Sequence, residues 1–113
     1  MKHLSEKQIQ SKILKILRRK PKTKVIKIIT ATTDGEPDIV VCYKGKFIGI
    51  EVKSHTGRAR GLQVAKIKEI RKAGGVAFVL REPELVSELL KVKKVDVFDP
   101  IEFSKFLLSK DNV

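Results

Sequence analysis

The stretch "GEPDIVVCYKGKFIGIEVKS", residues 35–54, predicts a β-hairpin and decides the fold. Two apolar runs flank Lys44 and Gly45, which suit a two-residue turn between antiparallel strands. If they form that turn, the numbers of paired residues sum to 89, and Asp38 lies directly opposite Glu51. An apolar hairpin with two opposed carboxylates at its end requires a physical explanation.

The charged side chains of this hairpin share one face. Side chains alternate along a strand, so Lys53 lies on the same face as Glu51 and Asp38. Opposed like charges destabilise a sheet, more so where water is excluded, and a divalent cation between them would remove that cost. The remaining residues of this face are apolar enough to be covered: Val40, Cys42, Phe47 and Gly49. The alternative is a surface ion cluster in which Asp38 caps a turn after Pro37.

The whole chain of 113 residues reads as one domain with the element order αβββαβ followed by αβα. The start of the first helix is marked by a capping box of Ser5 and Gln8. The expected helices cover 4–19, 60–73, 83–91 and 100–109, and the expected strands cover 24–30, 38–43, 46–54, 76–80 and 95–98. We therefore expect a single domain with a core over about 4–81 and a C-terminal extension over about 82–113.

Composition indicates an intracellular protein with a polyanionic partner. Twenty-five Lys and Arg residues against thirteen Asp and Glu residues give a net charge of +12. This charge favours nucleic acid first and an anionic membrane surface second. No apolar run is long enough to span a membrane, the N-terminus lacks a secretory signal, and the lone Cys42 has no disulfide partner. We expect a cytoplasmic location, in a host cell if the source is viral.

Two polar side chains on the helices are expected to face the sheet. Glu6 precedes Ile9 by three residues, which places it on the apolar stripe of the first helix. Its alternative role is to occupy the first helical position, where an acid suits the helix dipole. Gln63 precedes Ile67 by four residues, so it faces inward and needs a hydrogen-bond partner there.

The order of these motifs resembles the PD-(D/E)XK nuclease superfamily, and within it the virus-type replication-repair nuclease (VRR-NUC) domain. The resemblance covers residues 6 to about 81 and rests on "EKQIQ", "GEPDIVV", "GIEVKS", "GRARGLQ" and "AGGVAFVL", in that order. It implies an α/β fold of three layers, of the restriction-endonuclease type, with a mixed central sheet between helices. Gly61 departs from the residue type expected at the start of the second helix.

Phosphodiester hydrolysis explains the residue types. Hard cations such as Mg²⁺, with Mn²⁺ as a substitute, take oxygen ligands, which Asp38 and Glu51 supply. Lys53 would orient the attacking water or steady the developing charge. The resemblance adds the backbone carbonyl of Val52 as a metal ligand, a supporting role for Glu6 and an accessory role for Gln63. The basic loop contributes expected DNA phosphate contacts at His55, Arg58 and Arg60.

The expected function is a metal-dependent, structure-selective endodeoxyribonuclease acting on Holliday or other branched junctions. A two-fold junction requires two symmetric cuts, and two copies of one small subunit around a dyad could make them, so we expect a homodimer. The alternatives are a catalytically inactive nucleic-acid-binding protein on the same fold, and a nuclease of flap or duplex DNA. In the C-terminal helices, Phe103 and Phe106 are expected either to meet their copies across a dyad or to pack within their own domain.

Overall fold

A four-stranded mixed sheet forms the centre of the molecule. The computed structural model describes residues 3–29 and 34–111. Their elements are α1 (Glu6–Arg18), β1 (Thr23–Lys27), β2 (Ile39–Tyr43), β3 (Lys46–Val52), α2 (Gly61–Lys72), β4 (Val76–Leu80), a 3₁₀ turn (Pro83–Leu85) that leads into α3 (Val86–Leu90), and α4 (Phe103–Asp111). The strand order is β1-β2-β3-β4, antiparallel except for the parallel pair β3–β4. The predicted α/β class and the αβββαβ order are confirmed.

The predicted start of α1 is confirmed in atomic detail. The Ser5 hydroxyl accepts a hydrogen bond from the Gln8 backbone N–H at 3.1 Å, and the Gln8 side chain accepts one from the Ser5 N–H at 2.8 Å. These bonds satisfy two N–H groups that the helix itself leaves free. The helix then places Ile13 and Leu17 in the core.

The hairpin has the predicted register. Ile39 pairs with Ile50 and Val41 with Ile48. The turn between the strands contains Lys44 at φ 50° and Gly45 at φ 84°. Positive φ at both central residues gives the backbone twist that fits a two-residue hairpin. The short turn therefore fixes which residues of β2 and β3 face each other.

Helices cover the two faces of the sheet unequally. One face carries the main core, to which α1, α3 and α4 contribute. Its largest fully buried members are Phe78, Phe103, Ile13, Leu17, Ile39, Ile48, Ile50, Leu80, Leu89, Val41 and Val52. On the other face, Ile67 of α2 packs against Ala77 and Val79 of β4. This arrangement gives the three layers that the sequence predicts.

The expectation that both faces of the hairpin are covered is wrong for the second face. Cys42 is exposed, Phe47 is 49% exposed and Ile26 is 52% exposed. The cause is the position of α2, which contacts β3 and β4 on this face, whereas α1, the helix that contacts β1, belongs to the main core on the other face.

The expected strand over 95–98 does not form. Asp96 and Asp99 instead make a turn, in which the Asp96 N–H donates to Asp99 Oδ2 at 2.8 Å. The buried Arg71 guanidinium holds this segment by donating to the carbonyls of Asp99 at 2.7 Å and Pro100 at 2.8 Å. Glu102 takes the position beside β4 through an isolated parallel bridge. A charged side chain from α2 thus replaces a strand ladder in satisfying these backbone groups.

Of the two outcomes expected for the aromatic residues of α4, the structure shows packing within the chain's own core. Phe103 is fully buried and Phe106 is 4% exposed. Both rings contact Phe78, at centroid distances of 5.0 Å and 4.8 Å.

Within the described residues, no helix has the length and apolar character needed to cross a bilayer.

Candidate active site

Asp38 and Glu51 lie at the same end of the hairpin. The ladder of β2 and β3 runs to the pair Ile39–Ile50, so Asp38 and Glu51 are the next residues opposite each other. The Asp38 Oδ2 atom accepts a hydrogen bond of 2.8 Å from the backbone N–H of Val52. One carboxylate oxygen of Asp38 is thereby fixed against the end of β3.

Glu51 is a charged residue enclosed by the fold, with only 2% of its surface exposed. Its Oε2 atom accepts a hydrogen bond of 3.0 Å from the Gln63 side-chain amide and lies 3.5 Å from the Lys53 ammonium. Its Oε1 atom is buried without a hydrogen-bond partner among the described residues. A surface ion cluster, the alternative considered from sequence, does not fit this degree of burial.

Burial and, to a lesser extent, the neighbouring Asp38 carboxylate together raise the pKa of Glu51 to about 8, although Lys53 opposes the shift. A carboxylate removed from water loses hydration, and a second negative charge nearby adds repulsion. Without a cation, the fold therefore favours the protonated form of Glu51 near neutral pH. Strongly shifted groups of this kind are typical of functional sites.

The oxygen atoms present fit a hard divalent cation. The unpartnered Glu51 Oε1, the Asp38 carboxylate and the Val52 carbonyl are ligand types that Mg²⁺ accepts, with water completing its shell. In the chain from 3–29 and 34–111, no cluster of three or more His, Cys, Asp and Glu side chains has metal-binding geometry. Any cation here would therefore rely on two carboxylates, a number that suffices for Mg²⁺ when substrate phosphate also binds.

Gly49 allows α2 to approach the site. A Cβ atom at this position would lie 2.8 Å from Ile70 Cδ1 and 3.0 Å from Pro37 Cγ. The missing side chain lets α2 and the segment before Asp38 pack directly on β3. Gln63, in the first turn of α2, can then reach Glu51 while its Oε1 accepts the Arg60 N–H at 2.9 Å.

Glu6 does not point inward as predicted. Its side chain is exposed at the first helical position, directly after the capping residue Ser5. The first buried side chain of α1 is one turn later, at Ile9. An acid in this turn interacts favourably with the helix dipole, which was the alternative interpretation. The supporting role of Glu6 in the site stays a prediction.

The expected DNA contacts are divided between two places. His55 and Arg58 line a cleft beside the end of β3, and His55 also stacks on His3 with ring centroids 3.6 Å apart. Arg60 is exposed at the N-cap of α2 and does not line this cleft. Sequence reasoning missed the opposite wall of the cleft, which consists of Arg81, Glu102, Ser104 and Lys105. Arg81 and Glu102 are 21 positions apart in the sequence, and no local sequence signal indicates their pairing.

Known structures share this fold. A solved structure titled "VRR_NUC domain" has a TM-score of 0.64 and 21% identity, and the match covers 78% of this chain and 97% of that one. A second, titled "VRR_NUC domain protein", has a TM-score of 0.65 and 18% identity over 81% of this chain and 89% of that one. Neither a family model nor a curated protein sequence matches the chain. The fold is thus that of VRR_NUC domains, as the order of motifs predicted.

Proposed function

We propose that this protein is a metal-dependent endonuclease that hydrolyses phosphodiester bonds of DNA at Holliday or other branched junctions. The observation that carries the proposal is the buried Glu51 carboxylate beside Asp38 and Lys53, whose Oε1 atom has no hydrogen-bond partner within residues 3–29 and 34–111. A structural ion cluster gains nothing from a buried, unpaired acceptor, whereas a cation site requires free oxygen atoms. The net charge of +12 supports a polyanionic substrate.

Each residue of the site has a distinct chemical role. Asp38 and Glu51 would hold Mg²⁺ or Mn²⁺ together with the Val52 carbonyl. Such a cation supplies charge neutralisation at the phosphate and makes hydroxide available near neutral pH. Lys53 is positioned to orient the attacking water or to stabilise negative charge that develops on the phosphate.

Gln63 acts as a positioning residue. Its amide donates to Glu51 Oε2, and in the part of the chain that the structure describes Oε1 accepts no hydrogen bond. The other end of the same amide is anchored by the Arg60 N–H. The carboxylate is thereby held in one orientation before any substrate arrives, which reduces the cost of organising the site.

Branched DNA and a homodimer belong together in this proposal. A four-way junction is resolved by two symmetric cuts, and two copies of a small subunit around a two-fold axis supply two sites. Since Phe103 and Phe106 are buried within the chain, a dimer would use another surface. Sedimentation at micromolar concentration, with and without junction DNA, measures the stoichiometry directly.

Cleavage assays with labelled DNA test the function. A four-way junction and a linear duplex of the same sequence are incubated with the parent protein in MgCl₂ or in chelator. We expect junction cleavage only with Mg²⁺, and a loss of at least about a hundredfold in Glu51→Gln with binding retained, because a ligand charge is removed without a change of shape. Isothermal titration should show divalent-cation binding to the parent.

The matched control is Glu84→Gln, which makes the same chemical change at an exposed residue of the 3₁₀ turn. It should cut like the parent. Undiminished cutting by Glu51→Gln would overturn the assignment of the site. DNA binding without cutting by the parent would identify an inactive binding protein, and equal cutting of both substrates would remove the structure selectivity.

A further inference from the structure

A cleft of about 510 Å³ lies between the loop after β3 and the first turn of α4. Its volume is within the range of ordinary ligand sites. The residues that give it its chemistry are His55, Arg58, Arg81, Glu102, Ser104 and Lys105. Half of this set comes from the C-terminal segment, for which the family resemblance supplies no role.

The cleft has an excess of positive charge. Arg81 and Glu102 neutralise each other through two parallel hydrogen bonds, of 2.9 Å from Nε and 3.0 Å from Nη2. Neither Arg58 nor Lys105 makes an ion pair within residues 3–29 and 34–111. Two uncompensated cations, one on each wall, therefore face the same space.

The cleft lies next to Lys53 of the candidate active site. Arg81 also donates a hydrogen bond to the carbonyl of Ser54, the residue after Lys53. A methyl group placed on Gly57 would lie 3.4 Å from Cδ of Lys53, so the loop rests against that side chain. A strand whose phosphate reaches Lys53 thus passes directly beside the cleft.

We propose that this cleft binds a backbone phosphate of the cleaved strand, adjacent to the phosphate that reacts. Arg58 and Lys105 supply the charge from opposite walls, and the Ser104 hydroxyl supplies a neutral donor. The Arg81–Glu102 pair is the positioning element, since it joins α4 to the end of β3. Residues 82–113 thereby take part in substrate binding. The identity of the ligand as DNA rests on the proposed function.

The first test compares Lys105→Ala with Lys15→Ala. Both remove one exposed lysine from a helix, but Lys15 lies in the last turn of α1, outside the cleft. Junction affinity is measured by fluorescence anisotropy in chelator over a range of salt concentrations. Lys105→Ala should weaken affinity several-fold and lower the salt exponent by about one, because one phosphate contact and its released counterion are lost. Equal effects of the two variants would overturn the cleft assignment.

The second test replaces single phosphates by neutral methylphosphonates. Once the cut position is mapped, replacing the phosphate beside it should weaken binding by the parent and leave binding by Lys105→Ala unchanged, since that contact is already absent. If the methylphosphonate weakened binding by Lys105→Ala as much as it weakens binding by the parent, Lys105 would not contact that phosphate.

The first test is independent of cleavage. A parent protein that binds but never cuts, with the Lys105 dependence intact, would refute the nuclease and keep the phosphate site. A parent protein that cuts junctions, together with a Lys105→Ala variant that binds like Lys15→Ala, would support the nuclease and refute the phosphate site.

Discussion

At the scale of single residues, the surroundings of Glu51 could largely be predicted from the sequence. Its pairing with Asp38 could be predicted by counting along the hairpin, since the turn of Lys44 and Gly45 fixes the register. Its burial and its contact with Gln63 could be expected from the apolar faces of β3 and α2. The exposure of Glu6 could not be predicted with the same rule, because helical periodicity does not say where along its axis a helix leaves the sheet.

The raised pKa of Glu51 predicts an unusual pH dependence of stability. Between pH 4.5 and about 8 the folded, metal-free protein binds more protons than the unfolded chain, because the folded pKa is raised from 4.5 to about 8. The free energy of unfolding should therefore fall as pH rises through this window. Glu51→Gln lacks the ionisation, so its stability advantage should grow with pH to a few kcal/mol at most. Urea unfolding in chelator at pH 5, 6, 7 and 8 measures it, with Glu84→Gln as control. A constant difference between Glu51→Gln and the parent would refute the assigned cause.

At the scale of elements, local patterns predicted the core and failed where a distant side chain intervened. The strands β2, β3 and β4 could be located from apolar runs bounded by turn residues, and their ends differ from expectation by two residues at most. The segment 95–98 has the same composition but no ladder. Arg71 and the Asp96–Asp99 turn satisfy its backbone groups, and nothing local in the sequence indicates a guanidinium from 25 residues away.

Gly49 offers a test of how α2 is seated on the sheet. Gly49→Ala should destabilise the protein by about 1–3 kcal/mol, because the added methyl group overlaps Ile70 and Pro37. Cleavage should fall as well, since Pro37 precedes Asp38 and α2 carries Gln63. The control is Gly61→Ala, where the methyl group meets no atom within 4 Å, and a helical alanine should be neutral or stabilising. Thermal unfolding of both variants decides the matter, and a Gly49→Ala protein as stable as the parent would contradict the close packing.

At the scale of the whole molecule, the net charge of +12 predicts a polyanionic partner, but no feature of the sequence says which surface a second copy of the chain would use. The amphipathic pattern of α4 allowed two outcomes, and the contacts of Phe103 and Phe106 with Phe78 decide for the intramolecular one. An amphipathic pattern predicts that one face of a helix is buried, but not whether the same chain or a second copy buries it. The cleft wall formed by Ser104 and Lys105 could not be predicted from the sequence either, because it forms only when α4 packs beside β4.

Two variants of α4 distinguish core from surface. Phe106→Glu should unfold the protein instead of dissociating it, because losing a buried ring costs about 3–5 kcal/mol and a small domain has about 5–15 kcal/mol in total. Leu108→Glu makes a similar polar change at a side chain that is 64% exposed and should leave the fold intact. Circular dichroism and sedimentation measure both. A folded, monomeric Phe106→Glu protein would restore the interface that the contacts of Phe106 with Phe78 exclude.

The free side of β1 has a consequence for handling the protein. Among the described residues β1 pairs only with β2, so its other edge offers unpaired backbone groups to any passing strand, and Ile26 adds an apolar surface. Lys24 and Lys27 are exposed on opposite faces of this strand and repel a second copy that approaches edge to edge. That protection is electrostatic, and in about 1 M salt the screening length shrinks to roughly 3 Å. Concentrated solutions of the protein should therefore aggregate least at low ionic strength. Added salt should promote aggregation instead of suppressing it.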